Sequence, residues 1–196
     1  MASTRSNKRD IILEAATRVF AEKGYRAARV SDVAREAGVA DGTIYLYFKS
    51  KEEMLLSIFE TKMEQMLAGI REALAQVPDL DEKIRRFAVF HLDQVRLDRE
   101  VAEVLQVELR LSKKFMKEYR PEQLWAYLGV FSDILRQGKA EGRYREDVDP
   151  FLAGWAFFGS MDEIAMQWVL ARNPRRFSLE AAAAQVADIF LRGIRA

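Results

Sequence analysis

The chain has 196 residues, of which 49 % are hydrophobic and 31 % charged, and its net charge is +1, a balance that predicts a folded, mostly helical protein of one or two domains. It contains no cysteine, which excludes disulfides, thiolate nucleophiles and cysteine-based zinc sites. No apolar run approaches the ~18–20 residues of a membrane span, and residues 1–10 lack the apolar core of a signal peptide, so we expect a cytoplasmic protein.

Three helices are predicted in the first 50 residues. Residues 8–23 carry apolar side chains at helical spacing. Ser31 is a suitable N-cap for a short helix over 32–37, and Gly38 then allows a sharp turn. A second short helix follows over 41–48. This order of elements predicts a three-helix head.

The rest of the chain predicts a helical body. Ser50 and Glu53 form a capping-box pattern that opens a long helix, and Asp149 and Ser178 are expected N-caps of two later helices. The predicted helices cover residues 50–77, 80–97, 100–116, 121–141, 150–171 and 178–195. We therefore expect an all-α fold of about nine helices, with a DNA-binding domain at 1–51 and a ligand-binding and dimerisation domain at 52–196.

Charge is distributed unevenly between these two parts. Residues 1–51 hold 10 Lys and Arg against 6 Asp and Glu, a net charge of +4, and the remainder has 21 against 24, a net charge of −3. A basic head on a mildly acidic body is typical of a DNA-reading domain joined to a domain with another role.

The segment 41–48 has an unusual composition for a helix. Gly42, Tyr45 and Tyr47 all lower the stability of an isolated helix. Ile44 and Phe48 are four residues apart and should enter the core of the head. On a helical wheel, Thr43, Leu46 and Tyr47 face outward, and Tyr45 falls between core and surface. A segment that gives up local stability to expose these groups suggests a binding surface for the major groove of DNA.

Each exposed group suits a different contact with DNA. Thr43 offers a hydroxyl and a methyl, Leu46 a surface for thymine methyls, and Tyr47 a hydroxyl for phosphate. Gly42 has no side chain to keep its backbone from a phosphate. The further candidates share a position next to the two short helices and a group that can donate to phosphate: Arg29, Ser31, Lys49 and Lys51. An ordinary packing role for the tyrosines is the alternative.

The run AGVADGTIYLYFKSKEEML resembles the signature A-G-V-s-x-G-T-x-Y-x-Y-F-x-x-K-e-x-L of the TetR family of bacterial repressors. The resemblance implies that Thr43, Tyr45, Tyr47 and Lys51 contact DNA. Asp41 departs from the Lys or Ser common at its position, and its carboxylate is expected to stabilise the helix start or to accept from a cytosine amino group.

Dimerisation is expected because one helix-turn-helix makes too few contacts for useful specificity, and two heads usually read half-sites of a palindromic operator about 34 Å apart. Residues 151–170 are apolar around much of the helix, which predicts two packing partners: the helix's own core and a second copy. Ala181–Ala184 would let a neighbouring helix approach closely. The TetR resemblance also implies a homodimer through the last two helices.

Two further runs, QVELRLS at 106–112 and FGSMDEIAMQWV at 158–169, resemble the FadR-type repressors of fatty-acid degradation within this family. That resemblance implies a long-chain acyl-CoA as effector and no cofactor, catalytic residue or metal. Apolar candidates for the acyl chain are Phe90, Leu105, Leu109, Phe131, Phe158 and Met161. The arginines suited to the coenzyme A phosphates are Arg86, Arg96 and Arg110. Each of these residues has an ordinary alternative role in the core or on the surface.

Two other functions remain open at this point. The effector of such a repressor could be a different hydrophobic molecule, either a drug or a metabolite. An enzyme acting on acyl thioesters is the competing class, but the chain has one histidine, His91, no cysteine and no G-x-S-x-G or P-loop motif. We therefore expect no enzymatic activity, and a packed rather than functional His91.

Overall fold

The computed structural model describes residues 2–109, 119–171 and 177–196. Within these ranges there are nine α-helices: α1 (Ala2–Lys23), α2 (Val30–Glu36), α3 (Asp41–Ile44), α4 (Lys51–Leu74), α5 (Leu80–Leu97), α6 (Arg99–Glu103), α7 (Glu122–Ala140), α8 (Pro150–Leu170) and α9 (Leu179–Ile194). A π-helical turn, Val104–Glu108, continues α6. The prediction of an all-α fold of about nine helices is confirmed. No helix in the described ranges is long and apolar enough to cross a membrane.

Several helix boundaries differ from the prediction. The helix expected over 41–48 ends at Ile44, and residues Tyr45–Tyr47 form a turn. In that turn Leu46 N–H donates to the Thr43 carbonyl, and Tyr47 N–H donates to the Ile44 carbonyl. These three-residue bonds tighten the helix end, consistent with the low helix propensity of the aromatic residues there. The helix expected over 100–116 is an α-helix to Glu103 and then the π turn, and residues 110–118 lie outside the described ranges.

The caps agree with the sequence at three of the four predicted sites. Ser50 caps α4 by accepting from Glu53 N–H at 3.1 Å. Asp149 caps α8 by accepting from Phe151 N–H, and Ser178 caps α9 by accepting from Ala181 N–H. Ser31 is not the cap of α2, because the helix begins at Val30 with Arg29 in the capping position. The Asp32 carboxylate accepts from the Arg29 backbone N–H at 3.0 Å, which closes the first turn two residues earlier than predicted.

Contacts divide the chain into two compact units, Met1–Lys62 with Arg99–Arg120, and Met63–Asp98 with Pro121–Ala196. Helix α4 belongs to the first unit as far as Lys62 and to the second from Met63. This division is made on contacts alone, and the predicted functional boundary at 51/52 stays a proposal. The first unit has a small core in which Phe20, Val33, Ile44 and Phe48 are fully buried or nearly so.

In the second unit α5 packs against α7, α8 and α9. Its core is aromatic: the Phe87 ring lies 4.9 Å from that of Tyr127 and 5.7 Å from that of Phe131, and Phe131 stacks on Phe157 at 4.2 Å. Such pairs add to the stabilisation that burial of the rings gives. This packing fixes the face of α5 that remains available to solvent.

A buried carboxylate joins three parts of the second unit. Asp81, in the first turn of α5, accepts a hydrogen bond from the Tyr144 hydroxyl at 2.9 Å and one from the Arg195 guanidinium at 2.6 Å. Burial alone would raise the pKa of Asp81, but the hydrogen bonds from Arg195 and Tyr144 outweigh it and leave that pKa lowered. Asp81 therefore stays ionised and ties α5 to the segment after α7 and to the C-terminus.

Gly138 of α7 makes room for the ring of Tyr144. A Cβ atom at this position would lie only 2.1 Å from Tyr144 Cδ2. We predict that Gly138→Ala lowers the free energy of unfolding by about 2–3 kcal/mol, because the ring must move and strain its bond to Asp81. Urea unfolding followed by circular dichroism measures this change.

The control is Gly129→Ala on the same helix, where an added Cβ meets no atom within 4 Å. That variant should be neutral or more stable by about 0.5–1 kcal/mol, since alanine favours a helix over glycine. Equal stabilities of the two variants would contradict the packing role of Gly138.

Candidate nucleic-acid interface and effector site

Helices α2 and α3 form a helix-turn-helix. Gly38 adopts φ +66° after α2, a conformation that L side chains rarely adopt. Val39 N–H then donates to the Ala34 carbonyl at 2.9 Å and fixes the turn. Val33 and Ala34 of α2 are buried with Ile44 of α3, so the angle between the two helices is set by the core of the first unit.

The outer surface of α3 and the turn after it is apolar and aromatic. Leu46 is 70 % exposed and Tyr45 58 %. Thr43 and Tyr47 are half-buried. Gly42 is exposed, and an added Cβ there would meet nothing within 4 Å. Open space at Gly42 leaves the backbone accessible to a large ligand.

The wheel position predicted for Tyr45 was wrong. A wheel assumes a continuous helix over 41–48, but the helix ends at Ile44 and the chain turns. Tyr45 therefore points further out than helical geometry would place it. Leu46, predicted to face outward, does so.

Cationic and hydroxyl groups flank this surface. Arg29, Ser31 and Lys49 are exposed, as their predicted contacts with phosphate require. Asp32, on the same helix as Ser31, accepts from Lys23 at 2.8 Å and from Arg35 at 2.8 Å. The hydrogen bond from Lys23, followed by that from the Arg29 amide, lowers the pKa of Asp32 to about 2. Its negative charge therefore neutralises cations next to the surface.

Lys51 has a position that the sequence did not indicate. Its ammonium donates to the carbonyls of Tyr25 at 2.5 Å and Ala28 at 2.9 Å, and it lies 4.4 Å from the centre of the Tyr25 ring. Burial lowers the pKa of Lys51. The side chain therefore holds the turn between α1 and α2, and its predicted phosphate contact stays a prediction. Lys51 and Tyr25 are 26 residues apart, so no local sequence pattern predicts their contact.

The predicted effector residues of the second unit divide into core and surface groups. Phe131 and Met161 are fully buried, and Phe158 is half-buried with its ring 5.4 Å from that of His91. In this structure Phe131 and Met161 are core residues. Leu109, which is buried, and Leu105 belong to the first unit, and Arg110 lies outside the described residues.

Two adjacent surface grooves hold the predicted arginines. A groove of ≈ 610 Å³ is lined by Arg85, Arg86 and Phe90 of α5, together with residues of α4 and α9. Arg96 lines a neighbouring groove of ≈ 520 Å³ with Trp168. Both arginines are exposed and ion-paired within α5, Arg86 to Glu82 at 3.2 Å and Arg96 to Asp93 at 3.1 Å. The two cations therefore line neighbouring grooves rather than one.

His91 forms a buried polar pair that the sequence did not predict. Its Nδ1 atom is hydrogen-bonded to the Tyr127 hydroxyl at 3.1 Å, and both side chains are buried. Burial lowers the pKa of His91 to about 4 and raises that of Tyr127. His91 is thus a neutral, packed residue, as expected. Within the described ranges, no cluster of His, Asp or Glu is placed to hold a metal ion.

Comparison with known proteins accounts for this arrangement. Residues 12–58 match the model for bacterial regulatory proteins of the tetR family, and residues 59–193 match that of the C-terminal region of YsiA-like proteins. The chain is a member of the TetR family. The resemblance inferred from the motif at 37–55 is therefore confirmed, and the protein belongs to a family of transcription regulators.

The relatives of this TetR-family member also agree over nearly the whole chain. It is 37 % identical to the fatty acid metabolism regulator protein of Bacillus subtilis over 93 % of each chain. The solved structure of the regulator FadR from Bacillus subtilis, in complex with stearoyl-CoA, has a TM-score of 0.85 and covers 94 % of this chain and 98 % of its own. The fatty acid degradation regulator FadR from Bacillus halodurans is 38 % identical, with a TM-score of 0.87 and 95 % coverage of both chains.

The position of Lys51 predicts a difference from Lys49, its neighbour two residues away. Lys51→Met should lower the stability of the first unit by about 1–3 kcal/mol, because carbonyls of the α1–α2 turn lose a charged donor. Lys49→Met should change stability by less than about 0.5 kcal/mol, since its side chain is exposed. Urea unfolding followed by circular dichroism compares the two.

DNA titrations at several salt concentrations give the second half of the comparison. Lys49→Met should reduce the slope of log affinity against log salt by about 1 for each head, and so by about 2 for the expected dimer, because each head loses one phosphate contact. Equal unfolding free energies for the two variants would return Lys51 to the role of a simple phosphate contact.

Proposed function

We propose that this TetR-family protein represses genes of fatty-acid degradation and leaves its operator when a long-chain acyl-CoA binds. The observation that carries the proposal is the exposed face of Gly42, Tyr45 and Leu46, held outward by the buried Ile44 and Phe48. The relatives named as regulators of fatty-acid metabolism and degradation support the choice of target genes. Such a protein acts in the cytoplasm, where bacterial DNA is found.

The DNA-reading contacts follow from this face. Leu46 meets thymine methyls, and Thr43 and Tyr45 contact base edges or the adjacent backbone. Tyr47, Lys49, Arg29 and Ser31 position the head on phosphates, with the Gly42 backbone close to the duplex. Lys51 holds the turn that precedes α2 and acts through the residues that touch DNA. Two heads, one from each copy, read the halves of a palindromic operator.

The effector assignment is supported by the related structure that contains stearoyl-CoA. Burial of an acyl chain contributes roughly 0.8 kcal/mol per CH₂, so twelve carbons supply about 9 kcal/mol before ordering costs. Phe90, Phe158 and Met161, with the first-unit residues Leu105 and Leu109, are the proposed apolar contacts. Phe131 would have to leave its stack on Phe157 to take part. The proposed phosphate contacts are Arg86, Arg96 and Arg110, since guanidinium groups match phosphate geometry.

Release from DNA requires that the effector prefer a form unable to bind the operator. A preference of about 100-fold corresponds to about 2.7 kcal/mol of coupling. We propose that the preferred form differs in the course of α4, which belongs to both units and follows the DNA-reading turn directly. A change in α4 would alter the separation of the two heads in a dimer.

A homodimer through α8 and α9 is supported by exposed apolar side chains on both helices. Phe151 and Leu152 of α8 and Ile189 of α9 are each more than half exposed. Ala181 and Ala184 of α9 are exposed and small, which allows close approach of a second helix. Apolar groups of this size are stabilised when a second copy covers them.

The protein functions by binding and has no catalytic role in this proposal. A repressor with another hydrophobic effector is the second candidate, because the grooves beside α5 combine apolar and charged residues that suit other amphiphilic molecules. An acyl-thioester hydrolase would turn over acyl-CoA, whereas a repressor would bind it intact. The fate of stearoyl-CoA after incubation with the protein separates these possibilities.

The test of the effector uses labelled promoter fragments of fatty-acid degradation genes and stearoyl-CoA. Fluorescence anisotropy should show salt-sensitive binding that stearoyl-CoA reverses, with the thioester intact by mass spectrometry. Arg86→Ala with Arg96→Ala should weaken stearoyl-CoA binding by about 10-fold or more and leave stearate binding within about 3-fold, since stearate has no phosphates.

Arg136→Ala is the control for the arginine changes. Arg136 is as exposed as Arg96 and is likewise ion-paired three residues away, but it lies on α7. This variant should bind both ligands like the unmodified protein. Equal weakening of stearoyl-CoA and stearate by the α5 changes would contradict the phosphate assignment, and hydrolysis of stearoyl-CoA would contradict the whole proposal.

The dimer is tested by a charge on the apolar face. Leu152→Glu should raise the dimer dissociation constant by roughly 100-fold or more, because each of the two copies loses about 1.5–3 kcal/mol of leucine burial. Sedimentation equilibrium over a dilution series measures this constant. Leu97→Glu is the control, since Leu97 is 66 % exposed against 64 % for Leu152 and lies at the end of α5. Equal effects of the two changes would place the interface elsewhere.

A further inference from the structure

A carboxylate from the π turn holds the turn between α1 and α2. Glu108 ends the π turn Val104–Glu108, and its Oε2 atom accepts a hydrogen bond from the Tyr25 backbone N–H at 2.8 Å. The Oε1 atom lies 3.6 Å from the position that a Cβ would take at Gly24, whose φ is +77°. Both carboxylate oxygens therefore lie against the two residues that follow α1, and Tyr25 is 83 positions from Glu108 in the chain.

Lys51 binds other polar groups of the same turn, the backbone carbonyls. Its ammonium donates to the Tyr25 and Ala28 carbonyls, while Glu108 accepts from the Tyr25 amide. The negative charge of Glu108 favours the charged form of Lys51, opposing the burial that disfavours it. Tyr25 is thus fixed at its N–H by an anion and at its carbonyl by a cation, and charge-assisted bonds of this kind are stronger than neutral ones.

This turn determines where the DNA-reading elements begin. Four residues after Tyr25 comes Arg29, which occupies the capping position of α2, and Ser31 lies in the first turn of that helix. Both are proposed contacts with phosphate. Displacement of the turn would move these groups, and small misplacements of positioned groups cost binding specificity and affinity. Glu108 is therefore placed to affect DNA binding without touching DNA.

The π turn itself is a feature that can change. Leu109 N–H donates to the Val104 carbonyl five residues back, where an α-helix would use four. Isolated π turns are rare and often occur at functional positions. Conversion to α geometry would rotate Glu108 about the helix axis and withdraw it from Tyr25. Leu105 and Leu109, both proposed contacts of the acyl chain, lie in and beside this turn.

We infer that Glu108 is a positioning residue: its carboxylate fixes the α1–α2 turn for DNA binding, and the π turn that carries it responds to the effector. The inference rests on the proposed function for the identity of the DNA and the effector. Its structural part, the restraint of the Tyr25 amide by Glu108, is independent of that function.

The experiment compares Glu108→Ala, Glu108→Gln and the control Glu100→Ala, which removes the same charge from an exposed position of α6. Amide hydrogen exchange at Tyr25 should be about 10-fold faster in Glu108→Ala, and operator affinity about 10-fold weaker, because a charge-assisted bond is lost. Glu108→Gln should lie within about 3-fold of the unmodified protein on both measures, since the amide oxygen still accepts. Glu100→Ala should match the unmodified protein.

Three outcomes would overturn the positioning role. They are unchanged Tyr25 exchange in Glu108→Ala, operator affinity equal to that of Glu100→Ala, and faster exchange spread evenly over α1, which would indicate general destabilisation. Stearoyl-CoA affinity, measured by calorimetry, should be unchanged in Glu100→Ala and up to about 10-fold higher in Glu108→Ala, because the effector no longer has to break the contact with Tyr25 and coupling between the two events is reciprocal.

The response to the effector is tested on the unmodified protein. Stearoyl-CoA should speed exchange at Tyr25, and it should add nothing further in Glu108→Ala. Release of the operator by stearoyl-CoA with unchanged Tyr25 exchange would show that the signal bypasses Glu108. Failure of the unmodified protein to bind any promoter fragment would refute the proposed function instead, and the exchange comparison would then decide the positioning role alone.

Discussion

Burial of Ile44 and Phe48 in the core of the first unit is the constraint on which the DNA-reading surface depends. These two side chains are almost completely inaccessible, and they fix the orientation of a helix of only four residues, Asp41–Ile44. Such a short helix has little stability of its own, so the core must hold it. Because Ile44 and Phe48 are buried, the side chains of Tyr45 and Leu46 face solvent. The exposed face is thus a consequence of packing rather than of helix periodicity.

Lys51 and Glu108 extend this restraint to the turn before α2. Each forms a hydrogen bond with a backbone group of Tyr25, although both are far from Tyr25 in the sequence. Turns without such partners leave polar groups to water and open more readily. The head therefore combines an apolar core with a charged pair that sets the start of α2. A regulator gains from this combination, because the apolar core preserves the fold while the charged contact remains available to be changed.

In the second unit, the helices are held together by aromatic packing and by the hydrogen bonds of one buried carboxylate. Phe87, Phe131 and Phe157 form a continuous set of ring contacts, and Asp81 connects α5 to Tyr144 and Arg195. Interiors this well packed resist small shifts and switch between discrete arrangements. An effector that enters between these rings would have to displace them together, which is a physical basis for coupling a ligand to a change in the helices.

The sequence by itself determined the helical fold, the helix-turn-helix and the family, because these depend on local spacing: the apolar periodicity of α1, Gly38 at the turn, and the run from Gly42 to Lys51. Caps at Asp149 and Ser178 were equally local. Only the tertiary structure decided the end of α3 at Ile44, the use of Lys51 inside the head, and the partners of Asp81, His91 and Glu108. Each of those depends on atoms brought together from distant parts of the chain, where burial and charge, rather than neighbouring residues, select the conformation.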